Sequence, residues 1–359
     1  MAITLDGTLG ITSPLETVVG QFSSASTMGF KNRIINGAMV IDQRNAGALV
    51  TGNGYTLDRW QLFQTIGSKA TVQQNAGSVT PPAGFTNYLG VTSTSAYSVL
   101  TGDRFFIGQN IEGFNFADMN WGTANAQAVT LSFKVYSSLT GTFGGVLQNY
   151  AGTRSYPFTY SIPVANTWTA IAITIAGDTT GTWVGASNAG VNLLNFSLGA
   201  GATYSGTAGA WASANYNSAT GATSVVGTSG ATLYITGVQL EKGSTATSFD
   251  YRPYGTELSL CQRYYQRIGN DAVNSVQISG YQGTGLNFIS YIPFSVPMRA
   301  TPTLVRQGTW NVVNCTQPNA AGIGANGFCF YSTITVLGSF SINNSNQTTM
   351  YLEFTGAEL

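Results

Sequence analysis

The groups in this chain that could do chemistry are fourteen carboxylates, three cysteines and a set of aromatic rings carried among small polar residues; there is no histidine. Without histidine, a Ser-His-Asp or Cys-His arrangement cannot be assembled, and neither can a histidine-containing zinc site. Glycoside hydrolysis would need two carboxylates at a defined separation, one of them held protonated. Most acids here have a basic neighbour instead. Asp58 precedes Arg59, Asp103 precedes Arg104 and Glu241 precedes Lys242, while Asp42/Arg44 and Asp250/Arg252 stand two apart, on one face of an extended chain. They read as surface ion pairs and turn residues. No pair is marked as catalytic, and the chain is expected not to be an enzyme.

Cys261, Cys315 and Cys329 are too few for a disulfide scaffold and lack metal-ligand spacing, so they read as reduced structural thiols. Gly322, Gly324 and Gly327 spell G-x-G-x-x-G, but a dinucleotide loop needs a helix after it. Phe328-Cys-Phe-Tyr-Ser-Thr-Ile334 follows and reads as a strand, so a hairpin or bulge loop is expected. No cofactor is expected. Asp42 and Asp250 are weak candidates for a calcium site built from oxygen ligands. The most suggestive resource is Trp183, Tyr204, Trp211 and Tyr216, set among Gly, Ser, Thr and Asn. An aromatic face can stack on the CH face of a sugar while neighbouring amides and hydroxyls bond its hydroxyls. The competing reading is that these rings pack between strands or between subunits. Trp60, inside Leu57-Asp-Arg-Trp-Gln-Leu-Phe63, reads as core.

The elements that must position these groups are strands. Val129, Leu131, Phe133 and Val135 alternate with Thr130, Ser132, Lys134 and Tyr136, the period of a half-buried strand. Ile171, Ile173 and Ile175 repeat it. Leu233 and Ile235 pass to Val238 and Leu240 with a change of phase at Gly237, as a bulge produces. Many short strands separated by Gly/Thr-rich turns mean an all-β sandwich or barrel over residues 34–253. Residues 1–33 lack a periodic core signal and read as an arm that needs a partner to order it. One helix is expected over 256–268, with Thr256 as its cap and Gly269 as its stop. It opens a smaller β domain, 254–359, whose strands include Phe328–Val336 and Met350–Phe354.

Composition bounds the function. The chain has 359 residues, 14 Lys+Arg against 14 Asp+Glu, and only 8% charged residues, against roughly 25% in ordinary soluble proteins. So few cations cannot neutralise a phosphate backbone, which argues against a nucleic-acid partner. No apolar run reaches the length of a membrane span, and the N-terminus lacks the basic and apolar regions of a secretory signal. The chain is expected to be made in a cytosol without membrane insertion. Near-zero net charge favours association, so assembly with copies of itself or other subunits is expected.

Several segments resemble a bacteriophage tail-fibre-type family. They are Met1–Gly10, Lys31–Asn45, Tyr55–Trp60, Gln109–Gly113, Trp121–Asn125 and Arg154–Phe158. The strongest is Ile235–Gly243 running through Tyr251–Tyr254 into Cys261–Tyr265; Val296–Pro302 and Tyr351–Leu359 fit as well. The resemblance implies a virion protein made in the host bacterial cytoplasm, with a central module like carbohydrate-binding jelly rolls, often a homotrimer. It implies that residues 1–33 attach to other virion proteins and that the ligand is host surface polysaccharide. It brings no catalytic motif. A capsid decoration protein or head fibre is the first alternative, and a polysaccharide depolymerase the second.

Overall fold

Strand Val129–Ser137 sets the plan of the molecule. Its odd-numbered residues Val129, Leu131, Phe133 and Val135 are buried, and Ser132, Lys134 and Tyr136 face outward, half-buried. It lies second in a five-stranded antiparallel sheet ordered Thr169–Ile175, Val129–Ser137, Thr232–Lys242, Leu89–Ser93, Ala70–Gln74. A six-stranded antiparallel sheet runs Ser155–Ile162, Gly141–Asn149, Gly190–Ala200, Arg104–Glu112, Gln61–Gln64, Gly54–Tyr55. One apolar core joins the two, with Trp60, Leu131, Phe133, Phe158, Phe196 and Leu240 in it. This computed structural model describes residues 4–6, 10–13, 16–17, 31–269, 272–346 and 349–359. Among these residues it is all-β: a jelly-roll-like sandwich, then a smaller β unit, with one short α-helix at the junction.

The bulge expected at Gly237 is present. Thr236 pairs with Lys134 and Gln239 with Ser132, so Gly237 and Val238 of one strand stand against Phe133 alone of the other. The inserted step keeps Leu233, Ile235, Val238 and Leu240 all in the core. Gly237 sits at φ 62°, where a Cβ would lie 2.5 Å from the Phe85 ring. The bulge thus lets Phe85 press against the sheet.

The C-terminal unit consists of three three-stranded antiparallel sheets around Trp310, Phe328, Phe330, Ile342, Leu352 and Phe354. The Gly322/Gly324/Gly327 string is a hairpin: Asn319–Gly324 pairs with Gly327–Thr333, and Gly324 faces Gly327. At the other end of the chain, Thr4–Asp6, Gly10–Ser13 and Glu16–Thr17 form a small sheet. The rest of the expected arm up to residue 30 lies outside the described residues.

The helix differs from its expected bounds of 256–268. It runs Tyr254–Gln262, starts after Pro253 and has no side-chain cap bond, so Thr256 does not cap it. Proline presets the backbone at a helix start. Its end is decided by tertiary pairing, because Gln266–Ile268 joins Leu352–Thr355 as a strand. Gly269, at φ 94°, follows that strand instead of ending the helix. Leu260 and Cys261 of the helix, with Tyr264 just beyond its end, pack with Ile35 and Ile41.

The charged residues also differ from expectation. Of the neighbouring pairs, Asp58, Arg59, Asp103 and Glu241 are buried. The bonds of the acids go to groups other than the adjacent basic residue: Asp58 accepts from Gln43, Asp103 from Tyr97 and Leu100, and Glu241 from Gln239 and Thr247. Arg59 and Arg44 both bind Glu358, Arg252 binds Glu257, and Arg263 binds Glu112. A buried charge needs a partner, and for Arg44, Arg59 and Arg263 the fold supplies one from far along the sequence.

Candidate functional site

The outward face of the five-stranded sheet carries a groove. Its floor follows from strand register: Ala170 and Ala172 of the edge strand face Lys134 and Ser132, which face Thr236 and Gln239 across the bulge. Alanines on the edge strand leave the floor low. Its wall is an aromatic trio. Phe85 comes from the loop before Leu89–Ser93, and Phe249 and Tyr251 come from the segment between the last sandwich strand and the helix. Ring centroids stand 5.2 Å apart for Phe85–Phe249, 5.5 Å for Phe85–Tyr251 and 4.8 Å for Phe249–Tyr251. The Tyr251 hydroxyl donates to the Gly84 carbonyl, which ties the two wall segments together. Tyr251 is nonetheless 56% exposed, so its ring is available to a ligand.

Gly84, Phe85, Phe249 and Tyr251 divide two adjoining pockets. The one over the sheet, of about 460 Å³, also has Ser132, Lys134, Thr247 and Ser248 in its lining. The other, of about 200 Å³, reaches Tyr254 and the Arg252–Glu257 ion pair. Aromatic faces beside hydroxyl, amide and ammonium groups are what a saccharide needs: stacking surface for its CH faces and directed partners for its hydroxyls.

Lateral support is extensive. Gln239 donates to Glu241, and the Asp250 N–H donates back to the Gln239 side-chain oxygen. Glu241 accepts from the Thr247 N–H and hydroxyl. Asp250 accepts from the N–H groups of Lys31 and Asn32. These bonds fix the segment that carries Phe249 and Tyr251.

The four aromatic residues singled out by sequence lie elsewhere, and none of them lines this groove. Trp183 and Trp211 come together with Trp121 at one end of the sandwich core. Centroids lie 4.8 Å apart for Trp121–Trp183, 5.1 Å for Trp121–Trp211 and 5.5 Å for Trp183–Trp211, all edge to face. Their indole N–H groups are committed: Trp183 to Asp178 and the Thr180 carbonyl, Trp211 to the Ala176 carbonyl. Arg154 grips Asp178 through two 2.7 Å bonds. Burial pushes the Asp178 pKa up, but bonds from Arg154 and Thr180 outweigh it and hold the carboxyl below its ordinary value. Tyr204 lies under the Arg104 guanidinium, and Tyr216 covers Gly206. Trp60 is in the core, as its strand-like setting requires. Phe85, Phe249 and Tyr251 share no joint signal in the sequence, because residues 85 and 249 meet only through the fold; the sequence offers only an aromatic pair, Phe249 and Tyr251, after a Ser/Thr-rich turn.

Neither calcium candidate stands in a ligand cluster. Asp42 accepts from the N–H groups of Asn45 and Gly47, a turn role, and Asp250 from Lys31 and Asn32. Among the described residues no three His, Cys, Asp or Glu side chains gather as metal ligands. Cys261, Cys315 and Cys329 are free thiols; burial raises the Cys261 pKa well above its ordinary value. No helix is long and apolar enough to cross a membrane among the described residues.

No family model matches this chain, and no curated protein matches it. Among solved structures it is similar to the enzymatically active domain of tailspike protein 4 of bacteriophage CBA120, at 16% identity and TM-score 0.32. That match covers 59% of this chain but only 21% of the tailspike chain. It is similar to the family 11 carbohydrate-binding module of a cellulosomal cellulase of Clostridium thermocellum, at 12% identity and TM-score 0.27, covering 57% of this chain and 99% of that one. It is also similar to TmCBM61 in complex with β-1,4-galactotriose, at 9% identity and TM-score 0.31, covering 59% and 99%. Each is a likeness of architecture.

Proposed function

We propose that the chain is a virion adhesin, a phage tail fibre or receptor-binding protein, whose sandwich groove binds host surface glycan without cleaving it. The observation that carries the binding reading is the Phe85/Phe249/Tyr251 wall standing over a floor of small and polar residues. The virion reading rests on the tail-fibre-like segments of the sequence. Self-association is supported by the C-terminal unit, where Tyr281 is 74%, Ile289 60% and Tyr291 57% exposed on the edge strands Gln277–Gln282 and Asn287–Pro293. Open sheet edges bearing apolar side chains favour a covering neighbour. Many weak groove sites on a trimer would gain by multivalency.

The test is titration of the purified protein with polysaccharide extracted from bacterial surfaces, followed by calorimetry. Binding that Tyr251→Ala abolishes supports the reading; no binding to any surface polysaccharide ends the receptor part. Release of reducing ends would replace the adhesin by a depolymerase. Labelled antibody on the capsid instead of the tail would replace it by a decoration protein or head fibre. Light scattering should give about 113 kDa, three times the 37.7 kDa chain, and a stable monomer would remove the homotrimer.

A further inference from the structure

Of the fourteen Lys and Arg residues, thirteen have a partner. Seven enter ion pairs: Arg33, Arg44, Arg59, Arg154, Lys242, Arg252 and Arg263. Lys31, Arg104, Arg267, Arg299 and Arg306 donate hydrogen bonds, and Lys69 lies over the Tyr97 ring. Among the described Lys and Arg side chains that of Lys134 alone has no ion pair, hydrogen bond or ring, and it stands on the floor of the groove.

Its surroundings keep it so. Across the strands its neighbours are Ala170 and Thr236. The Thr236 hydroxyl donates to the Asn87 carbonyl and is occupied. No carboxylate lines the pocket over the sheet. The nearest acids by sequence and register are engaged: Glu241 with Gln239 and Thr247, Asp250 with the main chain of Lys31 and Asn32. An ammonium beside aromatic walls, with no acid in the lining, holds an uncompensated positive charge where a ligand would lie.

We propose that the groove selects an anionic saccharide, with the Lys134 ammonium pairing its carboxylate or phosphate while the Tyr251 face stacks on a sugar ring. This rests on the glycan-binding reading above and adds the ligand's charge. A point-charge ammonium suits either anion, and the bond to a charged group is the stronger kind.

The experiment uses the whole chain and three probes: a neutral cellotetraose, a tetragalacturonate and a phosphorylated mannopentaose. Each is titrated by calorimetry at low and high salt into wild type, Lys134→Met and Tyr251→Ala. Lys134→Met keeps the apolar stem and removes the charge. The expected result is that an anionic probe binds better than the neutral one, weakens with salt, and loses about fivefold to tenfold affinity in Lys134→Met. Lys134→Arg should retain most of it. Whichever anionic probe binds identifies carboxylate or phosphate as the natural group. Equal binding of neutral and anionic probes, unchanged in Lys134→Met but lost in Tyr251→Ala, overturns the charge selection and leaves the glycan groove standing. No binding of any probe overturns both.

Discussion

Replacing Glu358 with Gln should loosen the contact between the two units of the molecule. Arg59 is 1% exposed, and its guanidinium meets Glu358, the Asn110 carbonyl and the Tyr264 ring 3.6 Å away. Burial alone would lower the Arg59 pKa; the Glu358 carboxylate more than reverses this and raises it above the ordinary value. Arg44 binds the other Glu358 oxygen at 2.7 Å and lies over Tyr265. Breaking one side of a buried ion pair costs about 3–5 kcal/mol, because a charge is left buried without compensation. Gln keeps the shape and one acceptor, which returns about 1 kcal/mol. The net loss should be about 2–4 kcal/mol. Urea denaturation read by tryptophan fluorescence measures it, and Trp310 is the one tryptophan of the C-terminal unit. The double variant Arg59→Met/Glu358→Leu should lose less than the two single changes added together, since it removes both charges. A loss below about 1 kcal/mol for Glu358→Gln, or strict additivity in the cycle, would refute the idea that this pair clamps the units.

Three further outcomes follow from the same packing. Burial, only partly offset by Arg44 and the Gln43 bonds, lifts the Asp58 carboxyl from 3.8 to about 6. A raised folded pKa means the folded state binds the extra proton, so this group's contribution to stability rises as pH falls from 7 towards 4. Between pH 7 and pH 5 wild type should gain about 1 kcal/mol relative to Asp58→Asn; parallel stability curves for the two would show that Asp58 is not so buried. Gly237→Ala places a Cβ at φ 62° and 2.5 Å from Phe85, so it should cost about 1–3 kcal/mol in thermal unfolding and weaken glycan binding by displacing the wall. An unchanged melting curve and affinity would contradict the role given to the bulge. Trp211→Ala should cost about 2 kcal/mol through loss of the tryptophan cap, with groove affinity intact; loss of binding without loss of stability would return glycan contact to Trp183 and Trp211.

Four of the segments that resemble tail fibres meet in this junction. Arg44, Arg59, Tyr264, Tyr265 and Glu358 come from them, and the Leu359 carbonyl accepts from Tyr55 and Asn110. Their contacts at this junction hold the two units together. The aromatic groove draws Tyr251 from one of these segments and Phe85 from a stretch outside them.

Alternating side chains along Val129–Ser137, Phe328–Thr333 and Leu352–Thr355, and the phase change at Gly237, were legible because a strand's two faces are written into consecutive residues. Burying one face and wetting the other is a local demand, and local order satisfies it. The absence of histidine likewise excluded whole classes of catalysis before any folding was considered. The end of the helix at Gln262, the ion pairs of Arg44 and Arg59 with Glu358, and the meeting of Phe85 with Phe249 and Tyr251 belong to the tertiary structure alone. Each joins residues far apart in the chain, and a buried charge or an open aromatic face is satisfied by whatever the fold brings beside it.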